Sequence, residues 1–586
     1  MAAVVYKTIV FHKHLFCEAP TGTGKTISTL FPAVKAMGEH RINRIFYLTA
    51  KKSTRHVAES TVQLMADHGL KIKSIVISAK EQISFPEEAN LDPAQNPDMV
   101  GYFDRLNPAL RDLLKHENQI TPQVITKYAR KYTLDPFEFS LDASDFCDVI
   151  ICDYNYLFDP EVKLKRFFAK PDPENCFLID EAHNLVSRSR AMYSASLKSD
   201  RLNQIIKVTH HHRSRCRNLF SALKRLKTGF RSCQQRLNQS HQFSTSQTKP
   251  LRKFNHTIHS LVRTTQKWLT KQPQRDDLVN QIIQFGFACN SYLTIGGYYD
   301  STYRTRMIHD RHHQITCQEF CLDPSKYLAR SLKLGGSAIM FSATLSPMSY
   351  YQRTLGNEKD SLAYQLPSPF PPECQKIIIT NYIQTTYRQR KQNQNKIVHT
   401  IHALVTSQTG HYLIFFPSYR YLDTIFDEFK QRYPQLRTLK QTNSMNNQQQ
   451  SNFLNQFKQN YQKSLVGFAI LGSNFSEGID LKGKALIGVG IVGVGLPKIN
   501  DQTNLVKDYF DAEGHGFEYA YQIPGLNKVL QAAGRLIRSA NDCGVIALMD
   551  QRFNEFRYRR FLPDFWQVKT VSNLKQFKTI IKKFWK

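Results

Sequence analysis

Short continuous apolar runs alternate along this chain with stretches in which apolar residues recur at helical spacing. Leu15 to Glu18, Phe177 to Ile179, Ser337 to Phe341, Tyr412 to Phe416 and the glycine-studded Ala485 to Pro497 are of the first kind, as expected of buried strands. Ile27 to Met37 keeps an apolar helical spacing with no proline until Pro32, and Leu219, Leu223 and Leu226 recur at helical spacing further on. Gln531, Arg535 and Arg538, at spacings of four and three, are expected on one helix face. The Asn/Gln-rich stretch Gln441 to Lys463 reads as a polar helix with its loops, and Leu574 to Lys586 as an amphipathic basic helix.

Four segments attach chemistry to these elements. APTGTGKT (Ala19, Pro20, Thr21, Gly22, Thr23, Gly24, Lys25, Thr26) lies between a strand and a helix and has the form of a P-loop. Its glycines let backbone N–H groups close around phosphate oxygens, Lys25 would reach the β- and γ-phosphates, and the Thr26 hydroxyl would bind magnesium. Alone it says only "nucleotide", because kinases, GTPases and transporters carry the same loop. DEAH at Asp180 to His183 ends an apolar run, which places two carboxylates at a strand tip. Asp180 would hold magnesium and Glu181 would polarise the attacking water, while His183 would link the ATP site to a second lobe. SATLSP (Ser342 to Pro347) puts the Ser342 and Thr344 hydroxyls at another strand end, suited to bonding across a cleft. QAAGRLIRS (Gln531 to Ser539) offers two arginines that could meet the γ-phosphate from that second lobe as arginine fingers.

This ordered set resembles the XPD/DinG group of superfamily 2 helicases. LTAKKST (Leu48 to Thr54), DVIICDYNYLFDP (Asp148 to Pro160) and GSNFSEGIDLKG (Gly472 to Gly483) match further, the last carrying Glu477, Gly478 and Asp480 at the position of the family's nucleotide-coupling motif V. The resemblance covers nearly the whole chain. It implies an α/β fold of two RecA-like parallel-sheet lobes, with an iron–sulfur-domain-like and an arch-like insertion in the first. It also implies ATP and magnesium as cofactors, single-stranded, tailed or forked DNA as partner, 5′ to 3′ movement, and a place in DNA repair. The expected divisions are 1–80 (first lobe, P-loop), 81–146 (iron–sulfur-domain-like), 147–195 (first lobe, DEAH), 196–329 (basic arch-like helical insertion), 330–350 (first lobe, SAT) and 351–586 (second lobe). The second lobe would begin with the proline-rich Pro367 to Pro372, and the strand Tyr412 to Phe416 would open its sheet. The C-terminal basic helix then either contacts DNA or covers a lobe.

Composition agrees. A chain of 586 residues exceeds the size at which one core keeps growing. Lys+Arg 79 against Asp+Glu 48 leaves a net charge of +31, which suits a polyanion and predicts binding that weakens with salt. No apolar run approaches the ~20 residues that span a bilayer, and Lys7, His12, Lys13 and His14 interrupt any signal-peptide core, so a cytoplasmic protein without a membrane partner is expected. From Arg201 to Arg275 there is no Asp or Glu but 17 Lys plus Arg, with Phe220, Phe230 and Trp268 interspersed, which predicts a DNA-facing surface with aromatics available for stacking.

Two departures from the family stand out. Family members carry an Arg/Gln element that senses adenine upstream of the P-loop, whereas only Met1 to His14 precedes the strand here, so either recognition is relaxed or the chain is a shortened form of a longer protein. The four iron–sulfur ligand positions fall on Ser84, Leu91, Asn96 and Asp135, and no cysteine occurs between Cys17 and Cys147. No iron–sulfur cluster is therefore expected, because such clusters need soft thiolates. The 81–146 segment would hold together by packing of Phe85, Tyr102, Phe103, Leu106, Leu110 and Leu113 with Phe137 and Phe139. The eleven cysteines read as reduced thiols, with Cys147, Cys152 and Cys176 as buried hydrophobes, and Cys317 with Cys321 lacks the second pair of a zinc site. Three activities fit: a helicase, a DNA-stimulated ATPase that remodels without unwinding, or a nuclease, the last needing an acid cluster outside the ATP site that is not evident.

Overall fold

The apolar runs do become strands. The structure, a computed structural model, describes residues 1–85, 95–240, 242–272, 275–310, 312, 314–356, 359–459, 462–477, 481, 483–539 and 541–586. Strands β1 (His14–Glu18), β2 (Arg44–Leu48), β3 (Ser74–Val76), β4 (Gln119–Ile120), β5 (Val149–Cys152) and β6 (Asp172–Asp180) belong to one sheet. After β6 the chain leaves it and builds a separate antiparallel sheet from β7 (Ala195–Lys198), β8 (Ser244–Gln247), β9 (Tyr303–His309) and β10 (Ile315–Cys321). It returns as β11 (Gly335–Ser342) and β12 (Ser361–Gln365), completing an eight-stranded order β12-β1-β11-β6-β2-β5-β3-β4 whose pairings are all parallel. Helices cover both faces, which is why β2, β5 and β6 carry continuous apolar residues rather than an alternating pattern.

A second parallel sheet follows: β13 (Gln375–Thr380), β14 (His411–Phe416), β15 (Arg437–Lys440), β16 (Leu465–Ile470), β17 (Gly488–Val492), β18 (Gly544–Met549) and β19 (Val568–Val571), in the order β15-β16-β14-β17-β18-β13-β19. The run Tyr412 to Phe416 is a central strand and does not open this sheet. β13 does, its Ile377–Ile379 core being too short to stand out after the prolines that precede it. β12 pairs with β1, so the first sheet continues past residue 350. The lobes meet through buried and polar contacts: Tyr350 lies edge-on to Tyr519 with centroids 4.7 Å apart, and Arg353 binds both Asp323 (2.9 Å) and Glu513 (2.5 Å).

The second insertion is not helical alone. Helices Ser199–His211, Arg213–Ser240, Arg252–Leu269 and Asp277–Gly296 pack with the β7–β10 sheet around their own core. Leu219, Leu223 and Leu226 are buried there, as their spacing predicts. Phe220, Phe230 and Trp268 are buried in the same core, which corrects their expected availability for stacking. Apolar area outweighs exposure to a ligand at these positions: Phe230 packs edge-on against Phe254, and the Trp268 indole N–H donates to the Arg215 carbonyl at 2.8 Å.

Glu319 on β10 is fully buried in this insertion and accepts a hydrogen bond from Asn255 at 2.9 Å. Burial pushes its carboxyl up to about 7 from the ordinary 4.5. A carboxyl raised in the folded state binds its proton more tightly there than in the unfolded chain, so stability is greatest at low pH and is lost as pH rises from the unfolded value toward 7. Glu319→Gln keeps the acceptor and removes the charge. It is expected to stabilise the insertion by about 3 kcal/mol at about pH 8 and little at about pH 4, read by thermal unfolding through Trp268 fluorescence. Equal shifts at both pH values would exclude the charge as the cause.

In the 81–146 segment Phe85, Tyr102, Leu110, Leu113 and Phe139 are buried, and Leu106 and Phe137 pack against them. Phe103, expected in that core, is 80% exposed. Tyr102 and Phe103 are neighbours on the helix Tyr102–His116 and cannot share its inner face; Tyr102 takes it, its hydroxyl donating to Asp142 at 2.7 Å. The C-terminal helix Leu574–Phe584 buries Phe577 and Ile581 in the core behind the second sheet, so it covers a lobe on that face. Among the described residues no helix is long and apolar enough to cross a membrane.

Candidate nucleotide site

The loop after β1 is shaped by two left-handed glycines. Gly22 has φ +83° and Gly24 φ +64°, and a Cβ on Gly22 would stand 2.5 Å from the Phe370 ring and 3.0 Å from the Arg538 carbonyl oxygen. The loop is tied to its sheet by Ala19 N donating to the Ser342 carbonyl at 2.9 Å and is folded on itself by Thr23 Oγ1 donating to the Pro20 carbonyl at 2.8 Å. Thr21 Oγ1 donates across the cleft toward the carbonyls of Gly534 and Ile537, both at 3.4 Å. The helix Lys25–Gly38 starts directly at the loop and runs through Pro32, so its N-terminal N–H groups and positive dipole end face the place where phosphates would lie.

β6 ends on Asp180, and Glu181 follows with φ +50°, a left-handed backbone in a residue with a side chain. Such a conformation costs on the order of 1 kcal/mol or more and persists only where neighbours over-determine it. Two tyrosines do so. The buried Tyr47 donates to Asp180 Oδ2 at 2.7 Å and also interacts with the Thr26 hydroxyl, bringing together the two residues expected at magnesium. The Tyr154 hydroxyl donates to the Asp180 carbonyl and to the Glu181 carbonyl, the latter at 3.0 Å. Neither tyrosine was singled out in the sequence; Tyr47 immediately precedes the LTAKKST segment and Tyr154 lies inside DVIICDYNYLFDP, and their apolar surroundings gave no chemical signal.

A hydrogen-bond chain then crosses the cleft. Gln531 Nε2 lies 2.6 Å from His183 Nε2, His183 Nδ1 lies 2.6 Å from Ser342 Oγ, and Ser342 Oγ donates to Glu181 Oε2 at 2.9 Å. Taken in series, these contacts connect Gln531 in the second lobe to Glu181 through one imidazole and one hydroxyl. The Thr344 hydroxyl lies 3.4 Å from the same His183 nitrogen, and its N–H donates to Ser342 Oγ at 3.3 Å.

The charges are concentrated. Burial, with Glu181 adding to it, pushes the Asp180 carboxyl up to about 7. Burial also acts to raise Glu181, but His183, Lys25 and the Ser342 hydrogen bond outweigh it and hold that carboxyl at about 2, ionised and acceptor-only. Lys25 is lowered by burial, with Arg538 and Arg535 pushing the same way against Glu181 and Asp180. Four cationic side chains, Lys25, Lys51, Arg535 and Arg538, line a space of about 510 Å³ together with Glu181 and Gln531, a field that a polyphosphate would relieve.

The arginines reach this space by a route other than the expected one. The helix Ile523–Ala533 ends at Gly534, so only Gln531 is on it. Arg535 and Arg538 lie in the turn that follows, which Asp542 holds by accepting from Arg538 N (2.7 Å), Ser539 N (2.8 Å) and Ser539 Oγ (2.8 Å). Glu477 ends the short helix Asn474–Glu477, while Gly478 and Asp480 lie outside the described residues.

Two of the four expected iron–sulfur ligand positions carry residues with structural tasks. Asp135 caps the helix Pro136–Ser144 by accepting from Glu138 N at 2.9 Å, and Asn96 Oδ1 accepts from Asp98 N at 2.9 Å. Leu91 lies outside the described residues. Among the described residues no group of three or more His, Cys, Asp or Glu is placed to hold a metal ion. The donor set does not fit an iron–sulfur cluster, whereas the hard oxygens of Thr26 and Asp180 fit magnesium.

Two parallel-sheet lobes with a P-loop in the cleft between them define a two-lobed, RecA-like P-loop protein. The sequence matches the DEAD_2 family over residues 101–202 and the helicase C-terminal domain over residues 401–569. It is 26% identical over 268 residues to a probable ATP-dependent helicase of Methanocaldococcus jannaschii (41% of this chain, 39% of that protein) and 24% identical to the ATP-dependent DNA helicase CHL1 of Saccharomyces cerevisiae (78% and 58%). It is also 22% identical to the ATP-dependent DNA helicase XPD of Sulfolobus acidocaldarius, over 93% of each chain. The chain thus spans 39% and 58% of the first two relatives' lengths. Among solved structures an XPD helicase shares the fold with TM-score 0.63 at 15% identity, covering 97% of this chain and 98% of that one. S. tokodaii Xpd4 gives 0.60 at 14%, with the same coverage. In its family matches and in its fold the chain is similar to the XPD/DinG group of superfamily 2 helicases.

Proposed function

We propose that the protein is an ATP-dependent DNA helicase that moves 5′ to 3′ on single-stranded DNA and acts on tailed or forked substrates. The observation that carries this reading is the chain Gln531–His183–Ser342–Glu181, which joins the second lobe to the carboxylate best placed for hydrolysis. A motor needs that connection, because lobe closure and turnover must report to one another.

In this reading the loop Ala19–Thr26 binds the phosphates, with Lys25 on the β- and γ-oxygens. Magnesium bound at Thr26 and Asp180 would neutralise phosphate charge. Glu181, ionised, orients the attacking water and takes its proton. Arg535 and Arg538 stabilise the charge of the transferring phosphoryl group from the second lobe. Glu477, Gly478 and Asp480 would couple DNA contacts to this event. Residues 1–80, 147–195 and 330–365 make the first lobe in this assignment, 81–146 and 196–329 its two insertions, and the chain from β13 onward the second lobe. The basic second insertion would meet DNA through its lysines and arginines, by backbone contacts.

The test is unwinding of a duplex with a 5′ single-stranded tail, with ATP hydrolysis and product length followed in parallel. ATP-dependent strand separation from 5′ but not 3′ tails is expected. DNA-stimulated hydrolysis without separation would make the chain a remodelling ATPase, and shortened strands would make it a nuclease.

The reading also has the motor working without an iron–sulfur cluster, since serine, leucine, asparagine and aspartate stand at the ligand positions and two of them are used in capping and turn bonds. Anaerobically purified protein is expected to be colourless, to lack stoichiometric iron and to unwind at the same rate after treatment with an iron chelator. A brown, iron-loaded preparation would overturn this.

A further inference from the structure

Nine of the eleven cysteines are buried, and the two that are not, Cys374 and Cys543, stand side by side. Each lies one residue ahead of a strand: Cys374 ends the short turn Pro372–Cys374 that leads into β13, and Cys543 directly precedes β18. β13 and β18 are parallel neighbours paired from Gln375 with Gly544 onward, so the two cysteines occupy the next position back on adjacent segments. Neighbouring strands run about 4.8 Å apart, inside the span of roughly 4.4–6.8 Å between Cα atoms that a disulfide bridges. The two thiols interact with one another; Cys543 is exposed and Cys374 half-buried, so both can be reached from solvent. Cys233 and Cys317 are also close, with sulfurs 3.5 Å apart, but both are enclosed in the core of the second insertion.

The pair joins two segments that bear on the cleft. Asp542, which holds the turn carrying Arg535 and Arg538 and also accepts from Gly483 N at 2.8 Å, immediately precedes Cys543. Cys374 closes the connection from β12 in the first sheet to β13 in the second, and within that connection the Phe370 ring rests on Gly22 of the P-loop. We propose that Cys374 and Cys543 form a dithiol site that low-molecular-weight disulfides oxidise to an intramolecular disulfide, and that this bond restrains the connection between the lobes and slows turnover. The Cys543 thiolate attacks one sulfur of the small disulfide, giving a mixed disulfide and releasing one small thiol. Cys374 then attacks the Cys543 sulfur, the Cys374–Cys543 bond forms, and the second small thiol leaves. Two protein thiols are oxidised, one disulfide is reduced to two thiols, and the two S–H protons end on those products. The bond ties the end of the connection to the end of the arginine turn, which must shift relative to the P-loop when the cleft opens and closes. It also joins positions far apart in sequence, so it removes entropy from the unfolded chain and raises stability. The effect on turnover rests on the nucleotide-site reading above; the chemistry of the pair does not.

The experiment incubates the reduced full chain with glutathione disulfide, removes the reagent, and follows native thiol titration, intact mass and peptide mapping. Two thiols are expected to react rapidly before treatment and neither after it; the mass falls by two hydrogens, and the cross-linked peptides carry Cys374 and Cys543. DNA-stimulated ATP hydrolysis is expected to fall several-fold and the thermal unfolding midpoint to rise by several degrees, both reversed by dithiothreitol. Cys374→Ser and Cys543→Ser are expected to match the reduced wild type in hydrolysis and to lose the cross-link with both of its effects. A cross-link at other cysteines, Cys233 with Cys317 included, or glutathione adducts that persist without a cross-link would overturn the site. A Cys374–Cys543 bond that changes neither hydrolysis nor the midpoint would overturn the restraint. A wild type that forms the bond and gains the higher midpoint, yet hydrolyses no ATP in either state, would support the restraint and sink the nucleotide-site reading alone.

Discussion

Glu181→Gln is expected to yield a protein that still captures ATP but turns it over about 10³-fold more slowly or worse, the scale of a lost general base. The substitution changes almost nothing in shape: the amide oxygen can accept from Ser342 Oγ as the carboxylate does, so the chain through His183 to Gln531 and the closed cleft survive. What goes is the negative charge that His183, Lys25 and the Ser342 hydrogen bond keep in place against burial, and with it the capacity to accept a proton from water. Lys25→Ala fails differently. It removes the lysine cation expected at the phosphates and a compensating charge of both Asp180 and Glu181, so ATP affinity itself should fall. Single-turnover hydrolysis together with nucleotide retention on a filter separates the two. Wild-type hydrolysis by Glu181→Gln would remove Glu181 from its assigned role.

The parts of this site that were legible in the sequence are those whose chemistry is local. A P-loop needs its glycines and lysine within eight consecutive residues, and the carboxylate pair needs only an apolar strand before it, so Ala19–Thr26 and Asp180–Glu181 declare themselves. The structure places both at strand ends, facing one cavity. What escaped depends on contacts between distant segments. Tyr47 reads as one more apolar strand residue until β2 is set beside β6, where its hydroxyl meets Asp180. Spacing put Arg535 and Arg538 on a helix, but Gly534 ends it and Asp542, eight residues beyond that, reshapes the turn, an effect no periodicity contains. The same limit explains the second insertion. Leucines at helical spacing identified one of its helices, Arg213–Ser240, whereas the strands β9 and β10 mix buried and half-exposed positions too irregularly to be seen without their partners. Phe220, Phe230 and Trp268 looked available for stacking because their acid-free, basic context suggests a binding face; in the structure the cations stay outside and the rings fill the core.

Arg535→Ala and Arg538→Ala are expected to retain most of the ATP affinity while DNA-stimulated hydrolysis falls by about 10² or more each. The reasoning rests on where the cations come from. Lys25 and the loop N–H groups belong to the first lobe and bind phosphate whatever the second lobe does, so ground-state affinity is largely theirs. The arginines stand in a turn of the second lobe that touches the loop through Thr21, and both act electrostatically on Lys25, lining the same cavity with it. Charge moved onto the γ-phosphoryl oxygens during transfer is what a cation from that side stabilises, and it does so only with the cleft closed. Because the turn is held by Asp542 rather than by helix geometry, Asp542→Ala should reproduce a large part of the same loss without touching either guanidinium. Measured over a range of ATP concentrations at saturating DNA, a fall in kcat with little change in KM is the signature. If both arginine variants hydrolyse ATP at the wild-type rate in the presence of DNA, these residues are an ordinary solvated pair and the second lobe contributes no charge to the reaction.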